Sequence, residues 1–397
     1  MLLPTDDPIV VASLARTPMG GLQGEFADLP AAKLGAAAIK GALHRADLKP
    51  EDVDEVLMGC VLPAGQGQAP ARQAAIHGGL PHGVPCSTVN KMCGSGMKTI
   101  MMMTQAVATG EVAVGIAGGM ESMTNAPYLL PKARSGYRMG HGQVIDHMFL
   151  DGLEDAYEGG LMGSFAELCA DKYQFSRETQ DEYAIASLDR ALAASEEAFK
   201  DEIVHVNLET RSGTVVIEKD EQPFKAKREK IAQLKPAFRR DGGTVTAANA
   251  SSISDGAAAI VLMRKSEADR RGITPLARLT AMTSHAQEPA WFTTAPVGAL
   301  QKLFSDEGKR QSDYDLFEVN EAFAVVPLAA MEELGIEHDR MNVNGGACAL
   351  GHPIGASGTR IVASLINSLR HRNLKSGAAG ICIGGGEATA IGVELMS

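Results

Sequence analysis

The 397-residue sequence is poor in aromatics, at 5%, and has no closely paired cysteines and no long apolar run. Each lack excludes something. With so few rings but 43 glycines, the chain suits tight turns and close helix–sheet packing in an α/β protein better than a β-sandwich. The six cysteines, Cys60, Cys86, Cys93, Cys169, Cys348 and Cys382, show no CxxC spacing. In a chain this long that pattern fits a reducing compartment rather than a disulfide framework, and no metal site is expected. No window is apolar enough to span a membrane. The opening MLLPTDDPIVVASLARTP has neither a basic segment followed by an apolar run nor an Arg-rich amphipathic pattern. The cytoplasm is the expected location.

Positive charge is also in deficit. A net charge of −11 argues against nucleic acid as a partner, because a phosphate backbone needs a concentrated basic face. One basic run, Lys225 to Lys235, stands against this background. It is either a solvated helix face or a contact for an anionic ligand such as a nucleotide.

What is present is strand–helix alternation. Ile9 to Leu14, Val53 to Met58 and Val112 to Ala117 read as strands. Ala31 to Ala46, Ala71 to Gly78 and Met97 to Ala108 read as helices between them. This alternation predicts a parallel sheet covered on both faces, and the length predicts two or three packed units. From about Asn125 to Gly243 the texture turns polar and charged, which reads as an insertion with helices of its own, such as Arg177 to Phe199. NASSISDGAAAIVLM (249–263) then rejoins the first unit. From Thr274 the logic repeats: AGICIGGGEAT (379–389) resembles VGIAGGMESM (114–123), and Val343-Asn344 resembles Val89-Asn90. Two similar halves would bring equivalent loops to one shared site.

Two glycine motifs are false leads. GQGQAP (65–70) lacks the third glycine of a dinucleotide fingerprint, and in GSGMKT (94–99) Met97 separates Gly96 from the lysine a phosphate loop needs. VNKMCGSGMK (89–98) is more informative. It sets Cys93 at a glycine-rich turn ahead of a helix, where unpaired amides and the helix dipole favour a thiolate and could hold an oxyanion. The plainer reading is a buried inert thiol. GHPIGASG (351–358) places His352 before a proline that biases it to extended backbone, on the loop equivalent to that of Cys93. A cysteine and histidine so placed can act as nucleophile and base. CIGGGEATAI (382–391) ends a buried strand in Cys382 and three glycines, and EVNEAFA (318–324) puts Asn320 and Glu321 after another. Glu321 is expected to do no more than cap the following helix.

CGSG around Cys93, NEAFA at 320–324, NGGACALGHPIGASG at 344–358 and CIGGG at 382–386 resemble, in order and spacing, the signature blocks of the thiolase family. The similarity spans essentially the whole chain, and GQAPARQAAIHGGLP (67–81) resembles the biosynthetic, acetoacetyl-CoA branch. The resemblance implies a five-layered αβαβα sandwich of two duplicated five-stranded halves, with residues 1–121 plus 247–272 as the first, 273–397 as the second, and 122–246 as an inserted loop domain. It implies reversible Claisen condensation of two acetyl-CoA to acetoacetyl-CoA and CoA, with coenzyme A thioesters as substrates and no permanently bound cofactor. By motif, Cys93 is the nucleophile, His352 its base and Cys382 the acid–base at the α-carbon. Asn320 holds a water for one oxyanion hole, and the amides of Cys93 and Gly384 form the other. Ser251, Met162 and Phe323 match residues along pantetheine or the acyl group. EQPFK (221–225) lacks the family's usual arginine, leaving Lys225, Lys227 and Arg228 as stand-ins near the adenine. Leu161 and Phe292 also depart from the pattern, so acyl-chain preference is open, with a broader-chain 3-ketoacyl-CoA thiolase as the alternative. Lys132 to Gly142 resembles the loop that joins dimers into a homotetramer. A ketoacyl synthase would lack Cys382, and a non-catalytic scaffold would have lost one of the four polar site residues.

Overall fold

The computed structural model describes residues 1–211 and 213–396. Its first half runs β1 (Ile9–Arg16), α1 (Ala31–Arg45), β2 (Glu55–Gly59), α2 (Pro70–His77), β3 (Cys86–Val89), α3 (Ser95–Thr109) and β4 (Val114–Ser122). After an excursion carrying α4 (Met162–Tyr173) and α5 (Arg177–Glu196), the chain returns as β5 (Ser254–Arg264). The second half is β6 (Ala277–Ala286), α6 (Ala295–Glu307), β7 (Leu316–Val319), α7 (Val325–Leu334), α8 (Ser357–His371), β8 (Ser376–Ile383) and β9 (Glu387–Leu395).

Strand order is β3-β2-β4-β5-β1 in the first half and β7-β8-β9-β6 in the second. The halves join edge to edge where Val10 and Val11 of β1 meet Arg278 and Ala277 of β6. Both halves therefore share one topology, with one difference. At the position that β3 fills in the first half, the second has only a single bridge from Phe317 to Met341, so the expected fifth strand is reduced to a loop. The sheet is also mixed rather than parallel. β2 pairs in parallel with β3 and β4, and β7 with β8. β5 runs antiparallel to both β4 and β1. The same holds for β9 beside β8 and β6. Only Gly384 to Gly386 separate β8 from β9, and a turn that short can reverse the chain but cannot carry a parallel crossover.

Three apolar clusters fill the four interfaces of five structural layers, the middle one on both faces of its helices. One cluster packs α1 and α2 against Val10, Ala12, Val56, Ile116 and Ala257. The next places α3 and α8 between the halves, with Val11, Leu14, Ile260 and Leu262 on one side and Leu279, Ile381, Ile391 and Val393 on the other. The third packs α6 and α7 against Ala281, Ala378, Cys382 and Ala390. Alternate residues of one strand feed different clusters, as a sheet covered on both faces requires. The sequence serves this layering with small residues. β4 is buried along its whole length and reads VGIAGGMES, and a side chain at Gly119 would strike the Gly355 carbonyl.

The excursion is pinned to the core by charge. Arg16 of β1 is fully buried. Its Nε donates to Glu202 at 2.5 Å, and its two Nη atoms donate to Asp220 at 2.7 and 2.9 Å. Its guanidinium also lies 4.7 Å from the Phe199 ring centre. Glu202 further accepts from Ser364 of α8 at 3.1 Å. Removing one member of such a cluster leaves the others charged and unpaired. Arg16→Met is expected to cost about 3–5 kcal/mol, read as a lower urea midpoint against wild type. A loss under about 1 kcal/mol would show that the cluster is not the anchor of this segment.

Candidate active site

Three turns converge, one from the first half and two from the second. The first follows β3. Asn90 Oδ1 accepts from the Met92 N–H at 2.9 Å. Ser95 Oγ accepts from the Lys91 N–H at 2.8 Å and donates to the Met92 carbonyl at 2.6 Å. Held this way, Met92 sits at φ +46°, a left-handed conformation costing a branched or bulky residue about 1 kcal/mol or more. Cys93 comes next, half-buried, and Gly94 caps α3. A side chain at Gly94 would collide with Ile383, so the nucleophile turn lies directly against the end of β8.

The second turn carries His352, which is buried. Its Nδ1 lies 2.6 Å from Ser357 Oγ, and that hydroxyl donates to the Pro353 carbonyl at 3.0 Å. A hydroxyl has one proton, so Ser357 must accept from Nδ1–H. The tautomer is thereby set, with the lone pair on Nε2. Asn320 Nδ2 stands 3.4 Å from that Nε2, and Arg360 Nη2 donates to Asn320 Oδ1 at 3.3 Å, which orients the amide. Burial and the nearby Arg360 charge push the His352 pKa down to about 3, so the resting imidazole is neutral.

The third turn is Gly384 to Gly386. The backbone N–H groups of Gly384 and of Cys93 itself lie near Cys93 Sγ and lower its pKa. These donors favour a thiolate, as the sequence suggests, but burial outweighs them and pushes the thiol up to about 11. The resting state is therefore a thiol that opens onto the same cavity as a neutral imidazole. Cys382 is fully buried, and desolvation first, then the neighbouring Cys93, raise its pKa well above that of an ordinary thiol.

A cavity of about 610 Å³ opens onto these turns. Cys93, His352, Gly384, Ser251, Met162 and Phe323 all line it. Asn320 and Cys382 do not; they stand one layer behind. Phe323 meets Phe292 and Phe238 edge-on, with ring centres 6.4 and 6.0 Å apart. Lys225 and Lys227 line a separate cleft of about 320 Å³, and Ala247 and Ser252 border both spaces. Arg228 does not join them. Its guanidinium is taken up by Asp189 at 2.9 and 3.0 Å.

Sequence reasoning missed four positioning groups. Ser357 sets the imidazole and Arg360 sets the amide. Glu121 accepts from the Val61, Leu62 and Gly355 N–H groups at 2.9, 3.1 and 2.9 Å, tying the histidine turn to the first half. Burial pushes its pKa up to about 7. Glu321, expected as a helix cap, is instead a buried hub. It accepts from Tyr183 at 3.0 Å, Ser187 at 2.7 Å, Asn342 at 3.0 Å and the Cys348 N–H at 3.0 Å. An arginine and a serine on a helix otherwise packed through Ile361, Leu365 and Leu369 were a readable signal. Glu121, at the end of a glycine strand, was legible only through its likeness to Glu387.

The chain matches the family description "Thiolase, N-terminal domain" over residues 9–266 and "Thiolase, C-terminal domain" over 273–395. Acetyl-CoA acetyltransferase 2 of Arabidopsis thaliana is 49% identical over 98% of this chain and 97% of its own. An acetyl-CoA acetyltransferase of Cupriavidus necator is 46% identical over 97% and 99%. The crystal structure of Acat5 thiolase from Ascaris suum in complex with coenzyme A superposes with a TM-score of 0.92 at 40% identity, covering 98% of this chain and all of that one. In strand order, paired turns and full-length similarity alike, this chain belongs to the thiolase family.

Proposed function

We propose that the chain is an acetyl-CoA C-acetyltransferase that condenses two acetyl-CoA into acetoacetyl-CoA and free CoA, reversibly, through an acetyl-Cys93 intermediate. The observation that carries this reading is the meeting of the Cys93 thiol, the Gly384 amide and the His352 imidazole at one cavity. The names of the relatives support it.

In the first half-reaction His352 Nε2 takes the Cys93 proton as sulfur attacks the thioester carbonyl. The amides of Cys93 and Gly384 hold the oxyanion, each donor contributing about 3–4 kcal/mol. Cys382 gives its proton to the departing CoA sulfur and is left as a thiolate, while His352 keeps the proton taken from Cys93. In the second, Cys382 as thiolate removes an α-proton from a new acetyl-CoA, and its burial makes it a strong base. His352 and a water held by Asn320 stabilise the enolate oxygen. The enolate carbon attacks acetyl-Cys93, the C–S bond breaks, and the proton on His352 returns to the Cys93 sulfur, leaving Cys382 protonated as at the start.

Pantetheine would lie along Ser251, Met162 and Phe323, with the nucleotide end toward Lys225 and Lys227 through the Ala247–Ser252 border. Arg228, already paired, is left out of this assignment. The wall of Phe238, Phe292 and Phe323 favours short acyl groups over the longer-chain alternative. Thiolysis rates across 3-ketoacyl-CoA chain lengths test this choice.

The proposed division is 1–121 with 247–272, 122–246, and 273–397. The working form is a cytoplasmic homotetramer, consistent with six unpaired cysteines and with exposed Tyr128, Leu130, Met139 and Val144 flanking or within the 132–142 loop. Among the described residues no helix is long and apolar enough to cross a membrane.

Mixing with acetyl-CoA is expected to add one acetyl group per chain on the Cys93 peptide, read by intact mass and digestion. Cys93→Ser should show none; acetylation persisting there would remove the nucleophile assignment. Cys382→Ala should still self-acetylate while condensation falls by at least about 10³-fold. Equal loss of both steps would mark Cys382 as structural. Light scattering should give a tetramer, falling to a dimer with activity retained when residues 132–142 are shortened. A monomer at micromolar concentration would refute the assembly.

A further inference from the structure

The turn that supplies the Gly384 amide has no side chain of its own to fix it. Gly385 and Gly386 sit at φ +94° and +84°, in the region where glycine moves at least cost. Beyond the ladder pairing of Glu387 with Ile383 and Ala286, two contacts restrain its far end. The Gly386 carbonyl accepts from the Gln287 N–H at 2.8 Å, and the Glu387 carboxylate forms an ion pair with Lys91 Nζ. Lys91 stands two residues ahead of Cys93, with its backbone locked to Ser95 Oγ at 2.8 Å. One ion pair therefore joins the chain just before the nucleophile to the chain just after the oxyanion amide, across 296 residues and between the two halves. The side chains are 23% and 38% exposed, so the pair is partly withdrawn from water. Neither residue lines the 610 Å³ cavity, so neither is placed to touch substrate.

We propose that Lys91 and Glu387 are a positioning pair that holds the Cys93 turn and the Gly384 turn in register, keeping the Gly384 N–H near Cys93 Sγ and the oxygen of the bound acyl group. As a surface bridge the pair would contribute little stability. Its effect lies in geometry, because a displacement near 1 Å between reacting groups costs far more in rate than in folding energy. The inference about the acyl oxygen rests on the thiolase reading; the inference about Cys93 does not.

The test uses the full-length protein and two readouts. Lys91→Met and Glu387→Gln should each lower kcat for acetoacetyl-CoA thiolysis about tenfold with KM changed less than about twofold. The pH midpoint for Cys93 alkylation by iodoacetamide should rise by about half a unit, because losing a donor to sulfur disfavours the thiolate. The reversed pair, Lys91→Glu with Glu387→Lys, should recover both values to within about threefold of wild type. Single variants with kcat and midpoint unchanged, or a reversed pair no better than the singles, would overturn the proposal. A shifted alkylation midpoint in the singles, in a protein whose wild type has no thiolysis at all, would retain the positioning role and defeat the functional reading instead.

Discussion

Everything at the site depends on how closely two backbones approach each other. Gly59, Gly96 and Gly119 of the first half face Gly355 and Thr359 of the second with no Cβ between them, and Gly358 lies against the Met97 backbone. This contact puts the first turns of α3 and α8 side by side in the middle layer. Those turns carry Cys93 and His352 just ahead of them. An alanine at any of these glycines would drive the halves apart, and Cys93 and His352 would separate with them. The buried helices reinforce the contact at their core-facing positions, where Thr99 and Thr359 both donate to the Gly96 carbonyl, at 2.7 and 2.9 Å.

On this junction sits a set of buried polar groups whose purpose is direction rather than reactivity. Ser357, Arg360 and Glu121 each satisfy a donor or acceptor that burial would otherwise leave unpaired, and in doing so fix a ring, an amide or a loop. Unpaired buried groups of this kind cost about 1–3 kcal/mol each, so the network has little freedom to rearrange. The electrostatics follow the same logic. Burial holds His352 neutral and Cys93 protonated at rest. Charge separates only when sulfur attacks, where the Cys93 and Gly384 amides are already in place.

Much of this was legible in the sequence. The alternation of strands and helices, the internal repeat and the glycine-flanked Cys93, His352 and Cys382 could all be read from spacing, because turns and buried strands have strong local signals. Strand direction could be read only in part. The three glycines ahead of β9 did signal a reversal, whereas the return of β5 from a long insertion leaves no local mark. Nor could the missing fifth strand be read, since Val343-Asn344 resembles Val89-Asn90 in residue type but ends in a loop. The basic run divides for a similar reason: Lys225 and Lys227 face a cleft and Arg228, paired with Asp189, does not. The helix start that favours a thiolate at Cys93 is visible in sequence, while the depth of burial that opposes it is not.

The two donors near the Cys93 sulfur are main-chain amides, and every residue except proline carries one. Substitution at position 93 or 384 can therefore change what reacts or how the turn is shaped, but it cannot delete the donor itself short of a proline. The anion-stabilising half of this site is encoded in the path of the chain, and the reacting half in side chains. Drift in sequence can reshape the Phe238, Phe292 and Phe323 wall, and with it the choice of acyl group, while leaving the apparatus for handling an oxyanion untouched.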